Sequence, residues 1–322
     1  MVSNDKPLGY VISVCSSKGG VGKTTLTNLA GTTLAETGYR TTILDADPNY
    51  PQVGWAKLSA RQNRQTKALE VVKVGDDASI IKLIKEAKEQ SDVVLVDLEG
   101  RGSLAASDAM SRSDLVIIPA QPSMLDSREA AKALKLIEET EERFNRKIPH
   151  VVVFTKTDVC LRPDNYWELR KQFDARNKPV LNVEVRDREQ FREIFLYGGS
   201  LKALQDNAKR DLASVQDLLT TIDGVIKERV SVPVSDRDKD LQERISRLFR
   251  NKKRLRNRAD RFKRKIVGFE KAMGNANELV AAIVKYIQGD EATTTYPKGI
   301  QQDAIDMTEL GAHNLEFVEI EE

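Results

Sequence analysis

The chain has 322 residues, of which 40% are hydrophobic and 31% charged, with two cysteines, two histidines and a formal net charge of +2. That length suits one large domain plus an appendage. The histidines, His150 and His313, are far apart, which argues against a zinc site or a Ser-His-Asp triad, and no run approaches the ~20 apolar residues of a membrane-spanning helix.

In chain order, Met1–Gly9 carries no apolar signal core, so a cytoplasmic protein is expected. Short apolar runs rich in Val and Ile follow at Tyr10–Cys15, Thr41–Leu44, Leu69–Val74, Val93–Leu98, Leu115–Pro119 and His150–Phe154. Continuous apolar runs suit strands buried on both faces of a parallel sheet. Between them, Thr24–Thr37, Ser79–Glu89, Ser103–Met110, Ser127–Phe144 and Pro163–Phe173 carry helical patterns. The alternation predicts an α/β fold, a doubly wound and mostly parallel sheet with ligands at the carboxyl ends of its strands. Cys15 and Cys160 lie in apolar runs and read as packed thiols in a reducing compartment. Further on, Leu181–Val185 reads as a strand, Arg188–Leu196 and Asn207–Glu228 as helices, and the Pro233 region as a linker.

Directly after the first strand, Lys18-Gly-Gly-Val-Gly-Lys-Thr-Thr25 reads as a P-loop. Gly19, Gly20 and Gly22, with Val21 between them, let successive backbone N–H groups converge on a polyphosphate. Lys23 is spaced to reach the β and γ oxygens and Thr24 to hold Mg2+, with Thr25 completing the cradle. The helix that follows adds positive field beneath the phosphates. The strict pattern has glycine at position 17, where Ser17 stands. Lys18 is not needed for the cradle itself.

Asp45-Ala-Asp47-Pro48 follows the second strand, and Asp97 follows the strand Val93–Val96. A Mg-nucleotide site needs carboxylates to fix the metal's waters, so Asp97 is expected near the metal with Asp45 in support. Asp47 is the candidate for orienting the attacking water. Thr155-Lys156-Thr157-Asp158 superficially matches the guanine reader of GTPases, whose carboxylate would accept from guanine; the P-loop class points instead to adenine, with Lys156 lining the base pocket.

After Pro233 a different pattern begins. Leu241, Ile245, Leu248, Lys252, Leu255, Ala259, Phe262, Ile266, Phe269 and Met273 alternate spacings of four and three, and Ala276, Val280, Ile283 and Ile287 continue the register. This is a heptad seam with a polar fault at Lys252. Gly274 and Asn275 mark a bend or a helix–helix turn. An intermolecular coiled coil and a helical hairpin packed on the body both fit. From Arg237 to Lys265 there are fourteen Lys/Arg against four Asp/Glu, and from Gly289 to Glu322 one lysine against nine acids. The cluster Arg250–Lys265 suits phosphate neutralisation on nucleic acid, with an acidic protein or an anionic membrane as rival partners. The acidic stretch Asp290–Glu322 reads as loosely attached, and Leu315–Ile320 alternates in a way that suits strand addition. Three regions result: 1–232, an ATPase domain; 233–288, a basic helical or coiled-coil extension; and 289–322, an acidic tail.

The string Lys18–Thr25, with Asp45-x-Asp47-Pro48 and the strand ending at Asp97, resembles the deviant Walker-A ATPases of the ParA/MinD class over roughly residues 9–230. Asp45–Trp55 and Arg186–Gly198 are similar to plasmid-borne members, the ParA-like VirC ATPases of T-DNA transfer among them. The resemblance implies ATP and Mg2+ as cofactors. It implies an ATP-dependent homodimer in which Lys18 reaches the partner's nucleotide, much as an arginine finger acts in trans. It also implies DNA binding without sequence preference, a ParB-like or adaptor protein that stimulates hydrolysis, and a cytoplasmic, nucleoid-associated location without integral membrane attachment. Leu98-Glu99-Gly100 departs from the Thr-Pro-Pro run common in the family. The expected function is an ATPase that positions plasmid DNA or a DNA-transfer complex. An ATP-gated scaffold with little turnover is the rival from a different class. A metabolic P-loop ligase lacks a second-substrate motif, and a metal-cluster carrier lacks its paired cysteines.

Overall fold

The structure is a computed structural model that describes residues 9–75, 78–99, 103–157, 165–176, 178–181, 183–210 and 239–287. The elements are β1 (Tyr10–Val14), α1 (Lys23–Glu36), β2 (Thr41–Ala46), α2 (Pro51–Arg61), β3 (Leu69–Lys73), α3 (Ile80–Gln90), β4 (Val93–Leu98), α4 (Leu104–Ser111), β5 (Leu115–Ala120), α5 (Met124–Phe144), β6 (His150–Thr157), α6 (Asn165–Ala175), β7 (Val185–Arg186), α7 (Glu189–Tyr197), α8 (201–210) and α9 (Lys239–Ile287). All seven strands are parallel, in the order β3-β2-β4-β1-β5-β6-β7.

The apolar runs explain this sheet. Every residue of β4 and β5 is buried, so both faces of the central strands are covered by helices. Burying each Val, Leu or Ile contributes roughly 1.5–3 kcal/mol. Helices α3 and α4 start where the chain supplies caps: Ser79 accepts from the Lys82 N–H and Ser103 from the Ala106 N–H. Strand β7 is shorter than Leu181–Val185 suggests, with two paired residues and a separate bridge between Val152 and Val180. One helix, α2, has no counterpart in the sequence reading.

Two compact units divide the described residues. The first takes its residues from Met1–Lys57, Gln65–Arg188 and Asn275–Glu322 and holds the sheet; the second takes them from Leu58–Arg64 and Glu189–Gly274. Helices α2 and α9 have residues in both. In the second unit, Gly199 donates to the Ser59 hydroxyl at 2.7 Å, Arg64 to the Tyr197 carbonyl at 2.8 Å, and Lys265 pairs with Glu193 at 3.0 Å. Gly198 has φ +69 and a side chain there would meet the Ser59 backbone at 2.8 Å, so only glycine fits.

The helix–helix turn that Gly274 and Asn275 allow is not present. Helix α9 runs unbroken for 49 residues, which excludes a hairpin within it. The reason lies in Asn275. Asparagine weakens helices by bonding to nearby backbone, but this amide is engaged elsewhere. It accepts from the Arg186 N–H at 3.2 Å and donates to the Glu184 carbonyl at 3.0 Å, so one side chain completes the edge of β7. The seam positions Ala259, Phe269, Ala276, Val280 and Ile283 are buried. The stripe widens toward the C-terminal end, where Ala272, Leu279 and Ala282 are buried as well. The side chains of Leu241, Ile245, Leu248 and Ile287 lie outside the described set, as do Cys160, His313, the Pro233 linker, 211–228 and the tail 289–322.

Candidate functional site

Strand β1 lies between β4 and β5, the point from which the sheet is wound in both directions. Loops leaving the carboxyl ends there diverge and leave a crevice. The glycine-rich segment 17–22 leaves β1 at this point and leads into α1 at Lys23. Gly20 and Gly22 have φ +78 and +95, and Gly22 is the residue on which α1 starts. Gly19 and Gly20 are exposed, whereas Val21 is buried and anchors the loop.

Three side chains outside the motif hold this loop. Thr155 at the end of β6 donates to the Val21 carbonyl at 2.6 Å. Gln121 reaches the Gly20 carbonyl at 3.5 Å. The Ser17 hydroxyl shares its proton between the Glu129 carbonyl at 2.7 Å and Glu129 Oε2 at 2.8 Å, so the serine that replaces glycine ties the loop to α5. The Ser17 hydrogen bond, then Lys132, and more weakly the field of Lys18 hold the Glu129 carboxyl below its ordinary range. Lys23 is 7% exposed and its Nζ donates to the Lys18 carbonyl at 3.2 Å. Thr25 lies half-buried on the same first turn.

The carboxylates meet through the sheet. Asp45 on β2 and Asp97 on β4 are direct partners in the parallel ladder, and both are fully buried. Burial pushes the Asp97 carboxyl up to about 7, opposed by a hydrogen bond from Gln52 and helped by the charge of Asp45; Thr24 also hydrogen-bonds it. Burial raises Asp45 too, opposed by backbone N–H groups, of which Val53 lies at 3.0 Å and Asp47 at 3.4 Å. Asp45 thus accepts from the first turn of α2, as a capping residue does. Asp97 Oδ1 is buried and has no hydrogen-bond partner among the described residues.

The donor set at the strand ends fits Mg2+. An unpartnered carboxylate oxygen near a threonine hydroxyl is the hard oxygen set that Mg2+ prefers. Among the described residues no cluster of three or more His, Cys, Asp or Glu could hold a metal ion.

Asp47 is half-buried beyond β2, and its Oδ1 accepts from the Asn49 backbone at 2.9 Å and side chain at 3.1 Å. Lys156 is exposed with φ +53, and among the described residues no hydrogen bond or ion pair joins it to the loop. Its partner in the supposed guanine reader, Asp158, lies outside the described residues, as does Gly100 after Glu99. Cys15 is a packed thiol, pushed up to about 11 by burial and only partly offset by Lys23. His150 sits at the opposite end of β6 from Thr155. No helix among the described residues is long and apolar enough to cross a membrane. The sequence reading gave no role to Glu129, and singled out the stretches that contain Gln52 and Thr155 without seeing that these side chains hold Asp97 and the loop.

The VirC1 protein family model matches residues 10–221. Protein ParA of Rhizobium radiobacter is 35% identical over 207 residues, which cover 64% of this chain and 91% of that protein. Protein virC1 of Rhizobium rhizogenes is 29% identical over 150 residues, 46% of this chain and 65% of its own length. Among solved structures, apo McdA of Cyanothece shares the fold with a TM-score of 0.52 at 14% identity, covering 61% of this chain and 92% of that one.

Proposed function

Because the chain belongs to the VirC1 family of ParA-like P-loop ATPases, we propose that it is an ATP-driven switch that positions plasmid DNA or a DNA-transfer complex. The convergence of Lys23, Thr24, Asp45 and Asp97 at the carboxyl end of β1 supports this most directly. Lys23 and the amides of 19–25 hold the phosphates of ATP. Thr24 and Asp97 hold Mg2+, which supplies positive charge against the phosphate oxygens, and Asp45 supports them. Lys18 acts across a homodimer, and Asp47 orients the attacking water.

Residues 1–232 carry this chemistry, and the basic part of 233–288 carries the DNA contact. Arg250, Lys253, Arg254, Arg256, Arg258, Arg261, Lys263 and Arg264 are exposed on α9, with Asp260 the one acid within 250–264. Such density of guanidinium groups suits phosphate without regard to sequence. A ParB-like or adaptor protein stimulates release, and the protein works in the cytoplasm on the nucleoid.

One observation favours a second reading. Asp47 Oδ1 accepts from both Asn49 donors, which ties down one oxygen of the candidate water-orienting carboxylate and suits an ATP-gated scaffold with little turnover. ATPase rates with and without DNA separate the two. The primary test is molecular mass by light-scattering chromatography with ADP and with a slowly hydrolysed ATP analogue. The wild type should become a dimer on the ATP analogue, and Lys18→Ala should stay monomeric while still binding nucleotide. ATP-dependent dimers of Lys18→Ala would remove the role given to that lysine.

A further inference from the structure

Gln52, on the first turn of α2, is fully buried although both ends of its amide are polar. Its Nε2 donates to Asp97 Oδ2 at 3.0 Å and to the Thr24 carbonyl at 2.8 Å. Its Oε1 accepts from Asn28 Nδ2 at 3.0 Å. The direction of this chain is fixed at one end. A backbone carbonyl only accepts, so the Gln52 NH2 must face Thr24 and Asp97, its oxygen must face Asn28, and the Asn28 NH2 must point back. Asn28 is fully buried one turn along α1 from Thr24. Both ends of the network therefore rest on the helix that begins in the phosphate cradle. The oxygen left over on the Asp97 carboxylate is Oδ1, buried and without a partner among the described residues.

We propose that Gln52 is a positioning residue for the metal: it holds Asp97 by one oxygen and so presents the other to the ion shared with Thr24. The proposal rests on the Mg-nucleotide reading of the site. Gln52 touches neither phosphate nor ion; it sets the orientation of the group that does. Its neighbour Val53 donates to Asp45 Oδ2 at 3.0 Å. Consecutive residues of one helical turn thus grip the two carboxylates that face each other across β2 and β4. Without the Gln52 bond, Asp97 keeps only its interaction with Thr24 and the ion must impose more of the orientation itself, which weakens its binding.

The test is a Mg2+ titration of the full chain with a fluorescent ADP analogue, comparing the wild type with Gln52→Met, which keeps the length and removes the hydrogen bonds. The Mg2+ midpoint should rise about tenfold or more, the usual effect of losing an outer-shell partner. Nucleotide affinity in EDTA should stay within about twofold, which a general loss of structure would not allow. A folded Gln52→Met with an unchanged midpoint overturns the proposal. If Gln52→Met gives no cooperative melt, Gln52→Leu, which also removes the bond to Asp97, takes its place. A raised midpoint there supports the proposal and an unchanged one overturns it. A wild type without Mg2+-dependent nucleotide affinity removes the nucleotide reading itself, and this proposal with it. A normal wild type with an unchanged variant removes this proposal alone.

Discussion

At the strand ends the charged groups are buried and held: Lys23, Asp45 and Asp97 are each under 10% exposed, and each has a named hydrogen-bond partner. Along the basic part of α9, arginines at 254, 256, 258 and 261 are exposed, and Asp260 is the only acid within 250–264. The two regions suit two kinds of anion. A single small polyphosphate with a metal is recognised by geometry fixed before it arrives. A long polyanion read without sequence preference needs only a density of charge at its surface. Burial is costly at the first region and is offset by hydrogen bonds; the second avoids that cost and is correspondingly sensitive to salt.

The comparison can be broken at either end. Lys23→Ala should have the largest effect, weakening nucleotide binding by roughly a hundredfold in calorimetry, since it removes charge-assisted bonds to phosphate. It should leave the salt dependence of any nucleotide-independent DNA binding unchanged. Conversely, the combined Arg254→Ala, Arg258→Ala and Arg261→Ala should reduce the slope of log affinity for DNA against log salt by about 2–3, nearly one unit per lost phosphate contact. Nucleotide affinity should stay at the wild-type value. If both sets of variants lose both ligands, the two regions do not bind independently.

Asn275→Ala tests the edge of the sheet and touches neither region directly. It leaves the Arg186 N–H and Glu184 carbonyl without their partner and should cost about 1–3 kcal/mol in denaturant unfolding. The smallest effect is on pH. Asp97 lies at about 7 in the folded protein against an ordinary 3.8. A raised carboxyl binds more protons folded than unfolded, so its stabilising effect is present at about pH 4 and is lost as pH rises through 7. With the site empty, the wild type should therefore lose stability over that window relative to Asp97→Asn, read from melting temperatures. Mg2+ with nucleotide should flatten the difference.

Much of this was legible in sequence because the signals are local. The strands announce themselves as apolar runs, and the phosphate loop as an eight-residue string. Helix α2 is hard to read because Pro48, Asn49 and Pro51 have the chemistry of a turn. Pro51 is in fact the first helical residue, where its missing N–H costs nothing, and the capping carboxylate comes from Asp45, six residues earlier. The grip of Gln52, Glu129 and Thr155 was invisible because each acts across a separation set by the fold. At Gly274-Asn275 the sequence predicts a break because propensity sees the asparagine but not the strand edge that engages it.

The pairing of Asp45 with Asp97 as rungs of one ladder has a consequence for how this family can change length. Insertions in the connection after β3, or between α3 and β4, leave the two carboxylates opposite each other, since the rung and not the loop sets their meeting. One extra residue inside either strand would turn its carboxylate to the other face of the sheet. Tolerance of insertion should therefore change abruptly at the strand boundaries, with long additions accepted on one side of Val93 and single residues refused on the other.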